Sequence, residues 1–293
     1  MTRAGIVTVV GKPNAGKSTL LNRIIGQKLS ITSPKPQSTR DRVVGIHTTD
    51  QVQMVLLDTP GLLNPKYALQ QAMRGIALEA LRDADVIVHL VDAHDDRPVP
   101  LATAAELNFT PSAPTVLVLN KVDLLSAPAL QGLRSEFPDA HFISSTDGTG
   151  VQELLDVLAA RLPASPFLYP DDEISTQTMR FFASELVRET ALEQLEEEVP
   201  YSVACEVQEF REERSPVYIR AVIYVERESQ KGILIGNKGG RLRDIGKAAR
   251  VKIEALVGAP VYLDLWVKVL ANWRRDAKSL RRFGYHVLKE QSR

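Results

Sequence analysis

Gly11-Lys12-Pro13-Asn14-Ala15-Gly16-Lys17-Ser18 follows the β-branched run Ile6–Val10 and precedes a helical pattern. Two glycines ahead of a Lys-Ser pair let backbone amides close around phosphate oxygens, and the start of the following helix adds its positive end. This spacing predicts strand, phosphate loop and helix in that order, and so an α/β sheet with its ligand at the strand ends. Lys17 is expected to reach the β- and γ-phosphates and the Ser18 hydroxyl to bind Mg²⁺. The residues expected around the nucleotide here are Gly11, Asn14, Ala15, Gly16, Lys17, Ser18 and Thr19.

Further apolar runs at Val52–Leu57, Val86–Val91 and Thr115–Leu119 read as buried strands, alternating with helical stretches such as Tyr67–Leu81 and Val151–Leu162. That alternation predicts a mostly parallel sheet covered by helices. Pro163, Pro166 and Pro170, followed by Asp171, Asp172 and Glu173, mark a boundary. The second half has another rhythm. A helix is expected over Met179–Glu197, strands over Ser202–Phe210 and Val217–Val225, two helices around Gly236–Gly240, a strand at Val261–Val269 and a basic helix from Trp273. The expected division is a first domain over 1–163, a linker over 164–177 and a second domain over 178–293.

The chain of 293 residues has no net charge, but the balance hides a split. Asp171–Ser229 carries 6 basic and 15 acidic residues, whereas Gln230–Arg293 carries 15 basic and 5 acidic. A basic terminal segment is the electrostatic footprint of a polyanion, either nucleic acid or an anionic membrane. One cysteine, Cys205, excludes an intramolecular disulfide framework and a multi-cysteine metal site, and is expected in the core. No apolar run approaches the roughly 20 residues of a membrane helix, and the start shows no signal peptide. A cytoplasmic protein is expected. His47, His89, His94, His141 and His286 show no ligand spacing, so no metal held by protein groups alone is assigned.

Two more motifs decide the nucleotide. Asp58-Thr59-Pro60-Gly61 ends one strand run, where a carboxylate suits Mg²⁺ and the Gly61 amide suits the γ-phosphate. Asn120-Lys121-Val122-Asp123 ends another. The Asp123 carboxylate can accept from two adjacent N–H donors of guanine, which adenine does not present. An unpaired buried carboxylate costs several kcal/mol, so discrimination could reach the order of 10⁴. The pattern points to GTP and GDP rather than ATP.

These residues resemble the translation-factor-related class of GTPases. The resemblance implies that Thr39, in Gln37-Ser38-Thr39-Arg40, contacts Mg²⁺ and the γ-phosphate, giving Ser18, Thr39 and Asp58 as metal residues. It also implies that Ser144-Ser145-Thr146 forms the loop against guanine, with Ser145 where such proteins carry alanine. Where Ras-like enzymes place a water-orienting glutamine, this chain has Leu62, so slow intrinsic turnover is expected. Lys17, Thr39, Gly61 and Asn14 are the candidate catalytic residues. Two readings of Asn14 stay open: it helps hold K⁺ against the phosphates, as in potassium-activated relatives, or it braces the loop.

Gly236-Asn237-Lys238-Gly239 lies between two helices, and such a loop lets a nucleic-acid backbone approach closely. Ile235, Gly236, Asn237, Lys238, Gly239, Gly240 and Arg241 are the expected RNA contacts. With the α-β-β-α-α-β order and the basic segment, this reads as a type II KH domain. Of the two tryptophans, Trp266 is expected to be a core residue rather than a base-stacking one. The fold class expected is α/β, a P-loop GTPase domain with a mostly parallel sheet followed by an α+β KH domain.

Taken together, the phosphate loop, Gln37-Ser38-Thr39-Arg40, Asp58-Thr59-Pro60-Gly61, Asn120-Lys121-Val122-Asp123, Lys231–Gly240, Val261–Val269 and Trp273-Arg274 resemble the Era family over nearly the whole chain. Ala15, Ser38 and Ser145 are its mild departures. The first functional reading is a GTPase switch in which GTP rearranges Ser30–Arg42 and Pro60–Tyr67; nothing in the sequence suggests an obligate dimer, and a monomer is expected. The family resemblance adds the partners. It implies binding to the 3′ end of 16S ribosomal RNA, assistance to small ribosomal subunit maturation, and peripheral association with the inner face of the cytoplasmic membrane. The alternative reading makes the basic second domain a platform for a membrane surface or a protein partner.

Overall fold

The computed structural model describes residues 1–62 and 64–285. Leu63, in the expected switch segment, and His286 with the end of the basic segment lie outside the described residues. The chain divides into two compact units, Met1–Pro65 with Met73–Thr176, and Lys66–Ala72 with the chain from Gln177.

The first unit is built from β1 (Arg3–Val10), α1 (Lys17–Ile25), β2 (Val43–Thr48), β3 (Val52–Asp58), α2 (Ala68–Asp83, whose first residues group with the other unit), β4 (Val86–Asp92), α3 (Leu101–Ala104), β5 (Thr115–Asn120), α4 (Ala127–Glu136), β6 (His141–Phe142) and α5 (Val151–Arg161). The sheet order is β2-β3-β1-β4-β5-β6, with β2 antiparallel to β3 and the other pairs parallel. Every residue of β4 is buried, as an unbroken apolar run requires of a parallel strand covered on both faces. His89 on that strand is core: burial pushes its imidazole pKa down to about 4.

Register places the functional positions together. Val9 pairs with Asp58 and Asp92 pairs with Asn120, so the ends of β1, β3, β4 and β5 converge on one edge of the sheet. The proline-rich stretch after α5 is tied to this unit. The Leu168 and Tyr169 N–H groups donate to Gln53 Oε1 at 2.7 and 2.9 Å, and the Ile46 N–H donates to the Ile174 carbonyl at 2.9 Å. Sequence reading gave no strand at Val43–Thr48; there β2 forms the antiparallel edge that this stretch covers.

The second unit contains α6 (Met179–Gln194), α7 (Val199–Ser202), β7 (Ala204–Arg211), β8 (Val217–Val225), α8 (Glu228–Ile235), α9 (Gly240–Val257), β9 (Val261–Val269) and α10 (Ala277–Arg282). β8 is central, antiparallel to β7 and parallel to β9. Alternate residues of β8, Val217, Ile219, Ala221, Ile223 and Val225, bury one sheet face against Ala183 and Val187 of α6, Leu234 of α8 and Ile245, Ala249 and Ile253 of α9. Cys205 packs at the margin of this core, and burial pushes its thiol pKa far up, so it stays a thiol.

Two expectations need correction. The last helix starts at Ala277, not Trp273, because the Asp276 carboxylate accepts the Ser279 N–H at 2.8 Å and caps it there. Trp266 is not a core residue: it is 55% exposed, because Val261, Leu263, Leu265 and Val267 take the core side of β9 and leave it on the other. Trp273 is the buried one, its indole N–H donating to the Ser202 carbonyl at 2.8 Å.

Candidate nucleotide site and nucleic-acid groove

The phosphate loop leaves β1 at Val10 and enters α1 at Lys17. Gly16 has φ +97, and a Cβ there would lie 2.2 Å from Asn120 Nδ2, so only glycine fits. The Lys17 ammonium is held inside the loop by the carbonyls of Gly11 at 3.2 Å and Lys12 at 2.9 Å. Burial pushes its pKa down to about 8, with nearby Asp58 acting in the opposite direction. A lysine kept dry in a glycine loop at a helix start has the charge and setting that suit a phosphate.

Ser18, Thr39 and Asp58 come from three separate segments and meet. The Ser18 hydroxyl donates to Asp58 Oδ2 at 2.7 Å and lies 2.8 Å from Thr39 Oγ1, which itself is 3.5 Å from the same carboxylate oxygen. Burial pushes the Asp58 carboxyl pKa up, opposed by Lys17 and by the hydroxyls of Ser18 and Thr39. Its Oδ1 is buried and makes no hydrogen bond. Two hydroxyls and a carboxylate with an unsatisfied buried oxygen are hard donors of the kind Mg²⁺ takes alongside phosphates and water. Among the described residues no group of three or more His, Cys, Asp or Glu could hold a metal.

Around these groups lies a cleft of about 650 Å³ lined by Asn14, Gly16, Lys17, Ser18, Thr19, Thr39, Gly61, Asp92 and Lys121, among others. Asn14 has φ +64 and donates its side-chain N–H to the Pro34 carbonyl at 2.8 Å. It therefore ties the phosphate loop to the segment that carries Thr39, and its side-chain oxygen is not used in that bond. Leu62 is buried with Val10, Ala77, Leu81, Ile87, Leu101 and Ala105, so the residue after Gly61 faces the core rather than a water.

The base end is assembled by Asn120. Its Nδ2 donates to the Ala15 carbonyl at 2.8 Å, and its Oδ1 accepts from the Ser145 N–H and hydroxyl, both at 2.9 Å. One side chain thus joins the phosphate loop to Ser144-Ser145, and the hydroxyl that distinguishes Ser145 from alanine finds a partner. Asp123 stands exposed.

Two residues that sequence reading missed complete this end. Arg23 donates from Nε to the Ser145 carbonyl at 3.2 Å and from its guanidinium to the Thr146 carbonyl, holding the loop. Asp92 receives the Lys121 ammonium on Oδ2, while its Oδ1 accepts the His94 N–H at 3.0 Å. The position of Asp92, closing a strand run one strand over from Asn120, was the available signal.

In the second unit the Gly236–Gly239 loop separates α8 from α9. Gly236 has φ +71, and a Cβ would lie 2.8 Å from Arg241 Cβ. Asn237, Lys238 and Arg241 are exposed, Ile235 and Gly240 half-buried. A groove of about 420 Å³ opens between α9 and β9, lined by Gly239, Leu242, Arg243, Lys247, Arg250 and Tyr262, among others. On α8, Leu234 is core, whereas Ile233 is exposed.

Comparison with known proteins agrees with this geometry. The profile of the 50S ribosome-binding GTPases matches residues 6–121, and the KH domain profile matches residues 198–274. GTPase Era of Carboxydothermus hydrogenoformans is 41% identical over 97% of this chain and 98% of that protein. GTPase Era of Pseudomonas aeruginosa is 42% identical over 97% and 95%. A variant of Aquifex aeolicus Era bound to GDP and aluminium fluoride superposes with a TM-score of 0.88 at 39% identity, covering 97% of this chain and 99% of that one. An Era structure in complex with MgGDPNP and nucleotides 1506–1542 of 16S ribosomal RNA gives the same TM-score, identity and coverage. With sequence likeness along almost its whole length, a phosphate loop joined to Asn120 in the first unit and a Gly-x-x-Gly loop in the second, the chain belongs to the Era family of GTPases.

Proposed function

We propose that this GTPase is a switch whose second domain binds the 3′ end of 16S ribosomal RNA and assists small-subunit maturation. The observation that carries the switch is the meeting of Thr39 with Ser18 and Asp58. A hydroxyl from a loop segment shares its site with two fixed groups, so whatever occupies that site sets the position of the segment. GTP with Mg²⁺ and GDP then favour different arrangements, which is the requirement for nucleotide to control affinity elsewhere. The RNA target follows the solved Era complex with 16S ribosomal RNA, and the exposed Lys238 and Arg241 beside the groove suit it. The working division is a nucleotide domain over 1–163, a connecting stretch over 164–177 and the RNA-binding domain over 178–293, acting as a monomer.

In hydrolysis a water adds to the γ-phosphorus and GDP leaves. Lys17 neutralises charge growing on the β- and γ-oxygens, and the Gly61 N–H supports the γ-phosphate. Mg²⁺, held through Ser18, Thr39 and Asp58, supplies further charge neutralisation when bound. With Leu62 turned into the core, no side chain at that position orients the water, and the intrinsic rate is slow. Asn120, Lys121, Asp123, Ser144 and Ser145 select guanine. The bond from Asn14 to Pro34 makes loop bracing one role of Asn14, and its remaining side-chain oxygen suits K⁺. Equal GTPase rates in potassium and sodium would remove the cation role.

The test is binding of a labelled oligonucleotide matching the 16S 3′ end, with GTP analogue, GDP or neither, against a scrambled sequence and across a salt series. Selective binding that changes with nucleotide is expected. Equal, salt-sensitive binding to all sequences in all states would reduce the basic face to electrostatics. No helix among the described residues is long and apolar enough to cross a membrane. Association with the inner membrane face would therefore be peripheral, through the basic segment from Gln230, and flotation with anionic vesicles would detect it.

A further inference from the structure

β9 presents a second surface beside the groove. Parallel register sets Tyr218 beside Tyr262, Arg220 beside Asp264, and Val222 beside Trp266 on the face of the sheet opposite the core. Tyr262 and Trp266 are 60% and 55% exposed, far more than aromatic side chains of a packed sheet. The Tyr218 and Tyr262 rings stack with centroids 5.9 Å apart and planes 12° from parallel. The Tyr218 hydroxyl donates to Asp264 at 3.0 Å and Arg220 Nε donates to the same oxygen at 3.1 Å, which holds the row rigid. Two π-faces are thus displayed about 13 Å apart along one strand.

Tyr262 also lines the groove between α9 and β9, so this face and the groove are continuous across the β9 edge. A Gly-x-x-Gly loop clamps about four nucleotides, and a longer strand must leave the groove over one of its walls. We propose that single-stranded RNA leaving the groove crosses the β9 edge and stacks unpaired bases on Tyr262 and Trp266. This deepens the RNA-binding reading and rests on it. The neighbouring charges favour bases over a lipid surface. Asp264 and Glu209 engage Arg220, which leaves Lys268 as the exposed cation of this strand face, fewer than an anionic membrane would need. Ring faces, by contrast, attract bases of any sequence.

The chain has two tryptophans, and this makes the proposal directly readable. Trp273 is fully buried and hydrogen-bonded, so only Trp266 emission should respond to a stacked base. A twelve-nucleotide strand with the 16S 3′-end sequence should quench Trp266 fluorescence, and a four-nucleotide strand that fills only the groove should not. Trp266→Ala should weaken the twelve-nucleotide complex roughly 5- to 100-fold, the range of one base–aromatic stack, and leave the four-nucleotide complex unchanged. Tyr262→Ser should act in the same direction. Unchanged emission of the remaining Trp273 verifies that Trp266→Ala is folded.

Tight RNA binding by anisotropy with no quenching, or with no effect of Trp266→Ala, would overturn the inference and leave the RNA-binding reading standing. Failure of the wild-type protein to bind either strand would remove both. Vesicles of phosphatidylglycerol and phosphatidylcholine that blue-shift Trp266 emission, where RNA leaves it unaltered, would overturn it in favour of a lipid surface.

Discussion

Gly11–Ser18 and Gly236–Gly239 are both glycine loops that open onto a helix start, yet they treat charge in opposite ways. In the first, the cation is taken out of water: Lys17 is 6% exposed and lies near Asp58, which is fully buried. In the second, Lys238 and Arg241 stand in solvent. A dry cation with fixed acceptors gives strong, geometry-dependent interaction with a phosphate and a pKa coupled to occupancy. Exposed cations give affinity that salt screens and that carries little sequence information. One loop is built for a defined small ligand and the other for a backbone that passes by.

The largest expected effect comes from giving each loop a methyl group. Gly16→Ala puts a Cβ against Asn120 Nδ2 at a left-handed φ, at about 1–3 kcal/mol of backbone strain. It also disturbs the buried bonds from Asn120 to Ala15 and Ser145, at about 1–3 kcal/mol more for each group left unpaired. GTP affinity, measured by isothermal titration, should fall on the order of 10³-fold. Gly236→Ala meets Arg241 instead and should abolish oligonucleotide binding while GTP turnover persists. Loss of both activities in either variant would mean that the two loops are not independent in the way their charge environments suggest.

Next in size is a pH effect belonging to the buried loop alone. Without nucleotide, Lys17 titrates at about 8; phosphate charge raises that value in the complex. Above pH 8 binding must therefore take up a proton. Affinity for GDP should be flat from pH 6.5 to 7.5 and then fall by up to about tenfold per pH unit. The sign for stability is opposite. Between about 8 and 10.5 the unfolded chain holds the proton that the folded Lys17 releases, so the nucleotide-free protein gains stability as pH rises. Denaturation midpoints at pH 8 and 9.5 check this. RNA binding through exposed Lys238 should show no step near pH 8. It should respond to salt instead, and Lys238→Ala should reduce the slope of log K against log salt by about 0.7 and weaken binding several-fold.

The contrast also explains what could be read in the chain. The phosphate loop, Asp58 and Asn120 were legible because each ends an apolar β-branched run, and parallel strands bring such ends to one edge. The Gly236–Gly239 loop was legible from element order and the charge of its segment. β2 was missed because Gly45 and His47 interrupt the apolar run of an edge strand. Trp266 was misplaced although the signal was present: Asp264 and Lys268 share its parity in Val261–Val269, and that parity faces outward. Asp92 was legible from its place at the end of a strand run and was passed over, whereas Arg23 acts through contacts with Ser145 and Thr146 far along the chain, which no local pattern encodes.

Asp92 offers the finest division between the regions, because its bonds run to Lys121 and His94 and not to the phosphate loop. Its carboxylate is fixed by the His94 N–H and takes the Lys121 ammonium, while Lys121 itself sits at φ +66. A lysine with its ammonium anchored has its stem fixed in the wall of the cleft that Asp92 and Lys121 both line. Asp92→Asn keeps the shape and removes the charge, leaving the ammonium without its carboxylate partner. A charge-assisted hydrogen bond with one partner about 29% exposed contributes of the order of 1 kcal/mol. GTP and GDP should therefore weaken equally, by about three- to tenfold, raising KM and leaving kcat unchanged. In a Lys121→Ala background the same substitution should have no further effect, since the group it orients is gone. A drop in kcat, or full additivity of the two substitutions, would show that Asp92 acts on the phosphate end after all, and the separation of the site into a dry catalytic end and a base-holding end would have to be redrawn.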